Sequence, residues 1–314
     1  MRGLGPSIKC GAPSEDSAMR HLSAIALVFI LGVALPEGGF SGEVQPPKNL
    51  TVAAVQFHPR ATVDENATAI IEWLTKAREK NVRVVVFQEC ATTGYVKEAI
   101  AAANSEVLLE AERRIAQACD AHDLFAVVGT PYVSEGIRYN TAVVFGPEGE
   151  LVERYAKIQL VGGDDWACPG ETMSVFKVDD VPSSIIICHD ERYPELVRLP
   201  VLAGSRLVFY VSSESGLKAE RKIVPYRAQI CARADENDVF IVHANSPAML
   251  SHGQSRIIGP DGNILVEASM FQEEMITATL DMSRATGETA EKSLRASALR
   301  DWWREGMGKV IVRE

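Results

Sequence analysis

The chain is predicted to fold as an α/β protein, a four-layer α-β-β-α sandwich with an internal pseudo-twofold repeat, and two observations carry that prediction. Apolar runs of strand length alternate with amphipathic stretches of helix length from about residue 50 to residue 281. The same order then occurs twice, as strand, helix, strand, helix, strand and hairpin, and each hairpin turns on a near-identical tetrapeptide, Gly146-Pro147-Glu148-Gly149 or Gly259-Pro260-Asp261-Gly262. Two similar sheets, each with helices on one face, bury their remaining faces against each other. A single open doubly wound sheet would satisfy the alternation alone. The chain, however, has neither Gly-x-Gly-x-x-Gly nor Gly-x-x-x-x-Gly-Lys-Ser/Thr, so such a sheet would lack its phosphate loop.

In the first half, residues 51–57 form an apolar strand, and 67–80 a helix with Ile70, Ile71, Leu74 and Ala77 on one face. Residues 82–87 read as a strand buried on both faces, 106–122 as a second helix and 124–129 as a third strand, before a hairpin over 140–157. In the second half, 185–188 is a strand and 195–203 a helix closed by Gly204. A strand over 206–211, a helix over 223–236, a strand over 239–244 and a hairpin over 253–268 follow. The charged and aromatic tail 283–314, with Trp302 and Trp303, is expected to contact a neighbour or another subunit, or to form a surface helix.

Residues 1–45 stand apart. Arg20 and His21 precede an apolar run from Leu22 to Leu35, followed by Pro36, Gly38, Gly39 and Ser41, the order of a secretory signal. The run is short for a membrane span. Either a cleaved signal or an uncleaved anchor places the remainder outside the cytoplasm, periplasmic or secreted. Of six cysteines, Cys10 falls in this segment, and the others show no C-x-x-C or zinc spacing. Asn49 and Asn66 match the glycosylation pattern.

The 314 residues are 46% hydrophobic, enough for a sizeable core, and carry a net charge of −10 without a basic cluster. This argues against nucleic acid or an anionic membrane surface as partner and favours a small molecule.

The candidate chemistry centres on Cys188. A β-branched run, Ile185 to Ile187, ends at this cysteine, and Pro194 marks a helix start shortly after, so the sulfur sits at a strand-to-helix turn where helix-end amides favour a thiolate. An isolated cysteine is more often an inert core residue. Glu89 lies just past the buried strand 82–87, where a carboxylate must be used or paired. Near a thiol it would act as general base and then general acid. Lys157 leaves the first hairpin between residues that look buried, and its ammonium would face an anion, a developing oxyanion among the candidates; a surface lysine is the plain alternative.

Taken together, Val86-Phe87-Gln88-Glu89 followed by Thr93-Gly94-Tyr95, Arg154-Tyr155-Ala156-Lys157-Ile158-Gln159-Leu160, and Cys188-His189-Asp190-Glu191-Arg192-Tyr193-Pro194-Glu195 resemble the nitrilase superfamily of carbon–nitrogen hydrolases. The resemblance covers about residues 50–281 and assigns 46–282 to a hydrolase domain. It implies the sandwich fold, no metal or organic cofactor, and a triad of Cys188 as nucleophile, Glu89 as base and acid and Lys157 as oxyanion stabiliser, helped by the His189 backbone N–H. It places an auxiliary acid at Asp165, in Gly163-Asp164-Asp165-Trp166, where many members carry glutamate. It makes Arg192 and Glu195 an ion pair bracing the turn, and it implies a homodimer or larger homo-oligomer through helices near the cysteine.

Substrate choice is expected on loops after strands, at Tyr95, Ser212, Ser213, Glu214 and Asn245. The resemblance implies hydrolysis of a linear amide or N-carbamoyl compound. His189-Asp190 after the cysteine replaces the Trp-Glu associated with nitrilases, which remain an alternative; a catalytically idle binding homologue is another.

Overall fold

The computed structural model describes residues 48–214, 223–248 and 254–313. The N-terminal segment read as a signal or anchor lies outside the described residues. Among the described residues, no helix is long and apolar enough to cross a membrane.

Strand β1 (Asn49–Gln56) leads into α1 (Val63–Glu79), whose start is fixed by a capping box: Glu65 N–H donates to Thr62 Oγ1 at 3.2 Å, and Thr62 N–H to Glu65 Oε2 at 3.0 Å. Strand β2 (Val84–Phe87) is wholly buried; α2 (Lys97–Ala102) and α3 (Ser105–His122) follow, then β3 (Phe125–Ser134), β4 (Ile137–Phe145) and β5 (Leu151–Ala156). In the second half come β6 (Met173–Val178), β7 (Val181–Ile187), a 3-10 turn (Cys188–Arg192), α4 (Glu195–Leu202), β8 (Leu207–Ser212), α5 (Ile223–Asp235), β9 (Phe240–Asn245), β10 (Arg256–Ile258) and β11 (Ile264–Glu267). Strand β12 (Glu274–Asp281), α6 (Glu288–Lys292), α7 (Ser297–Met307) and β13 (Val310–Val312) complete the order.

The repeat is explicit in the sheets. One runs β12-β1-β2-β3-β4-β5 and the other β11-β10-β9-β8-β7-β6-β13. In each, three parallel strands (β1, β2, β3 or β7, β8, β9) are flanked by an antiparallel hairpin on one side and an antiparallel strand, β12 or β6, on the other. The hairpin turns end at Gly149 (φ 74°) and Gly262 (φ 70°), where a left-handed backbone is needed.

Alternation along the strands builds three apolar layers. Val52, Val84, Val86, Val127 and Val144 of the first sheet meet Ile185, Ile187, Phe209, Val211 and Val242 of the second between the sheets. Ala53, Val55, Val85 and Phe87 face Ile70, Leu74 and Ile115 of α1 and α3. Ile186, Val208, Tyr210 and Ile241 face Leu196, Val197 and Ile230 of α4 and α5. These layers make the four-layer sandwich.

The tail docks on its own chain. Trp303 and Met307 pack with the apolar layer outside the second sheet, and β13 pairs in parallel with β6, so that sheet extends beyond residue 282, the expected domain boundary. Asn66, read as a glycosylation acceptor, is fully buried: its amide donates to the Thr92 carbonyl at 3.2 Å and accepts from Arg60 N–H at 2.7 Å. A folded chain cannot present it.

Candidate active site

Glu89 is delivered by the end of β2, and a glycine lets it arrive. A Cβ on Gly129 of β3 would stand 2.3 Å from the Gln88 carbonyl oxygen and 2.6 Å from Glu89 Cα, inside any real contact distance. Only a residue without a side chain lets the strands approach here. The Glu89 carboxylate then receives Lys157 Nζ at 2.8 Å and Asn140 Nδ2 at 2.8 Å on one oxygen, and Ser213 N–H at 2.9 Å on the other.

Lys157 follows β5, its main chain pinned by its N–H to the Asn140 carbonyl and by Gly170 N–H to its own carbonyl, both 2.8 Å. Its side chain is buried between two carboxylates, Glu89 at 2.8 Å and Asp164 at 2.9 Å. Burial disfavours the ammonium, but the charges of Glu89 and Asp164 outweigh it and hold the lysine pKa well above its ordinary value.

Here the structure corrects the expected auxiliary acid. Asp165 points outward, 63% exposed, and pairs with Lys97 at 2.7 Å. Asp164 occupies the position beside Lys157, accepting from Tyr95 Oη and from Asn140 Nδ2 and, on its other oxygen, from Val161 N–H. Burial works against its charge, yet Lys157 lowers the carboxyl below its usual value. Two adjacent aspartates differ by one step of backbone direction, and the Val161–Asp164 and Asp164–Ala167 loop bonds choose the first.

Cys188 begins the 3-10 turn with φ of 43°, an uncommon conformation for a residue with a side chain. Asp190, fully buried, ties this turn to the lysine segment: it accepts from Ile187 N–H at 3.0 Å, Tyr155 Oη at 2.8 Å and Gln159 N–H at 2.8 Å. Burial pushes its carboxyl up to about 6 despite these donors. The thiolate favoured by helix-end amides does not prevail. Burial and then Glu89 push the Cys188 thiol well above its ordinary value, and Lys157 only partly opposes them. The resting sulfur is a thiol and needs a base.

A cavity of about 580 Å³ opens over these groups, lined among others by Glu89, Tyr95, Val161, Cys188, His189, Glu191, Arg192, Tyr210, Ser213 and Glu214. Of the residues expected to choose substrate, Tyr95, Ser213 and Glu214 line it. Ser212 and Asn245 do not; both are fully buried behind the wall, where Ser212 Oγ donates to Asn245 Oδ1 and Glu214 N–H to the same oxygen at 2.9 Å. Arg192 lines the cavity but makes no ion pair with Glu195. It lies 5.1 Å from the Tyr226 ring centroid, and the turn is braced instead by Arg233 of α5, whose Nε donates to the Glu191 carbonyl at 2.9 Å. Sequence reasoning missed Asp164, Asn140, Arg233 and Tyr210. Asn140 had a usable signal, a polar residue entering an apolar strand.

The chain resembles known enzymes over most of its length. It is 26% identical over 250 residues to an omega-amidase of Xenopus tropicalis, covering 74% of this chain and 88% of the relative. It is 27% identical over 248 residues to the 2-oxoglutaramate amidase of Bacillus subtilis, covering 75% and 92%. Among solved structures it superposes on a carbon-nitrogen hydrolase from Helicobacter pylori with a TM-score of 0.73 at 18% identity, covering 82% of this chain and 98% of that one. An amidase from Nesterenkonia sp. AN1, in complex with acrylamide, gives a TM-score of 0.73 at 23% identity, covering 83% and 100%. The family model for carbon-nitrogen hydrolases matches residues 51–288, a span that holds Glu89, Lys157, Asp164 and Cys188, and the chain belongs to that family.

Proposed function

We propose that the chain hydrolyses the C–N bond of a small linear amide or N-carbamoyl compound through a thioester on Cys188. The observation that carries this reading is the buried Glu89–Lys157–Asp164 charge array in a cavity shared with the Cys188 thiol. Glu89 takes the thiol proton as sulfur attacks the carbonyl carbon, and the oxygen that gains charge is held by Lys157 and the His189 backbone N–H. Collapse expels the amine, which takes the proton from Glu89 and leaves as ammonia or amine. Glu89 then deprotonates water, which attacks the thioester and restores the thiol. Asp164 and Asn140 keep Lys157 charged and Glu89 oriented throughout.

Names of relatives favour amides over nitriles: those cited are amidases. The idle-homologue reading rests on an aspartate where many members carry glutamate and on the oxidation risk of an exported thiol; Asp164, an acid 2.9 Å from Lys157, speaks against the first of these. The test is ammonia release from a panel of amides, N-carbamoyl amines and nitriles by the protein and by Cys188→Ala. Release confined to nitriles, or persisting in the variant, contradicts the proposal. We further read residues 1–45 as an export signal or anchor, and α4 and α5, with Val224 exposed, as a contact face between copies. Fractionation of the host cell and sedimentation of the purified protein test these.

A further inference from the structure

At Tyr210, in the wall beside Cys188, two carboxyls and a carbonyl meet one phenol proton. Tyr210, on β8, has its hydroxyl oxygen 2.8 Å from Glu214 Oε1, 3.1 Å from Glu191 Oε2 and 3.2 Å from the Cys188 carbonyl oxygen. A phenol has one proton to give. Were both carboxyls ionised, one would face the phenol's lone pairs at hydrogen-bond distance, in a wall where Glu191 is 2% and Glu214 3% exposed. Two carboxylates so close and so dry do not both keep their charge. The contacts close if one carboxyl donates to the phenol oxygen while the phenol donates to the other.

The surroundings decide which. Glu214 makes the shorter contact, and His243 Nε2 lies 3.9 Å from the same oxygen while its ring stacks on Tyr210. Among the described residues, no cation bonds the Glu191 carboxylate. Arg192, next in the turn, lies over Tyr226; Arg233 of α5 gives Nε to the Glu191 carbonyl and Nη1 to Glu236 at 3.0 Å; Arg256 of β10 is paired with Glu267 at 2.7 Å. Lys157 is held between Glu89 and Asp164.

We propose that Glu191 is a positioning residue that acts as a neutral acid: its carboxyl donates to the Tyr210 oxygen, Tyr210 donates to Glu214, and the relay leaves one negative charge beside the Cys188 thiol in place of two. Burial, followed by Glu214, pushes the Glu191 carboxyl up to about 9, so the proton stays through neutral pH. Burial raises Glu214 as well, against Arg256 and the Tyr210 bond. When Glu191 loses its proton, a second charge appears next to a thiol that burial and Glu89 already hold protonated, and ionising the sulfur becomes harder.

The first arm of the test needs no turnover. In infrared difference spectra between pH 7 and pH 10, the protein should lose a protonated-carboxyl band with a midpoint near 9. The band should be absent from Glu191→Gln and present in Glu214→Gln at pH 7. No such band in the parent protein, or its survival in Glu191→Gln, overturns the proposal. The second arm is the pH profile of hydrolysis, each normalised to its own maximum; only this arm rests on the proposed activity. The alkaline limb near 9 should move up by about one unit or more in Glu191→Gln. An unmoved limb overturns the link to Cys188. Where no amide is turned over, the pH dependence of Cys188 alkylation by iodoacetamide reads the same limb, so an absent activity and an absent proton relay give different results.

Discussion

Lys157 Nζ and Glu89 Oε1 lie 2.8 Å apart with side chains 0% and 1% exposed, and the pair is not symmetrical in what its partners can replace. Removing the lysine strands two buried carboxylates, whereas removing the glutamate charge leaves the ammonium on Asp164. Lys157→Met should therefore cost about 3–5 kcal/mol of stability. Glu89→Gln should cost clearly less while lowering kcat by roughly 10²–10⁴. Urea unfolding beside ammonia release checks the order, and equal stability losses would refute the asymmetry.

Asp164 and Asp165 should separate cleanly. Asp165→Asn loses only an exposed pair with Lys97, worth about 0–1 kcal/mol, and should keep its rate within roughly twofold. Asp164→Asn should lose activity and stability together. Because the folded carboxyl titrates below its unfolded value, the stability it contributes is present above an ordinary pKa of 3.8 and is lost as pH falls through the depressed folded value. Unfolding curves for parent and Asp164→Asn should draw together as the pH falls below 3.8 toward the depressed folded value.

Asp190 has the opposite sign. Its folded value near 6 stands above 3.8, so this group's contribution is fully present below 3.8 and is lost as pH rises through 6. The span of about two units corresponds to roughly 3 kcal/mol. Asp190→Asn should flatten the pH dependence of unfolding between these values, and an unchanged slope would count against the buried charge. The same variant should lower activity, since an amide nitrogen replaces one of the oxygens that receive Ile187, Gln159 and Tyr155.

Gly129→Ala should behave as a site mutation made from a strand. Its Cβ would collide with the Gln88 carbonyl and Glu89 Cα, backbone atoms that cannot rotate away. A loss of roughly 1–3 kcal/mol is expected, with a drop in kcat larger than in other Gly→Ala strand changes. Thermal unfolding and kinetics on one preparation would show it; full activity with a lowered Tm would argue that Glu89 is not displaced.

Elements with strong periodicity were legible before any coordinates. The buried run around Val84 to Phe87, the helix bearing Ile70 and Leu74, and both Gly-Pro-acid-Gly turns lie where their patterns put them, because burial and φ restrictions act locally. What escaped was decided by distant partners. Strand β6 breaks its alternation at Val175-Phe176 and is a strand because β7 offers an edge to it, whereas β12 alternates strictly from Ile276 to Asp281 and carried a usable signal. The placements of Asp164 and Asp165 depend on loop hydrogen bonds that no periodicity encodes. Arg192 and Glu195 sit one helical turn apart in sequence, but the aromatic face of Tyr226 takes the guanidinium. The cysteine turn was read correctly as a turn, while the burial that governs its thiol depends on β8 and the loop beyond it.

The register between β1 and β12, from Asn49 against Asp281 to Gln56 against Glu274, sets a timetable for the growing polypeptide. The first strand of the sandwich stays without its outer neighbour until nearly the whole domain has been synthesised. Throughout that interval its apolar edge is open to wrong partners, including a neighbouring nascent copy. Such late closure makes the assembly slow and sensitive to chaperone supply or growth temperature. It also marks the Glu274–Asp281 segment as the place where a mild mutation would reduce yield without touching the chemistry.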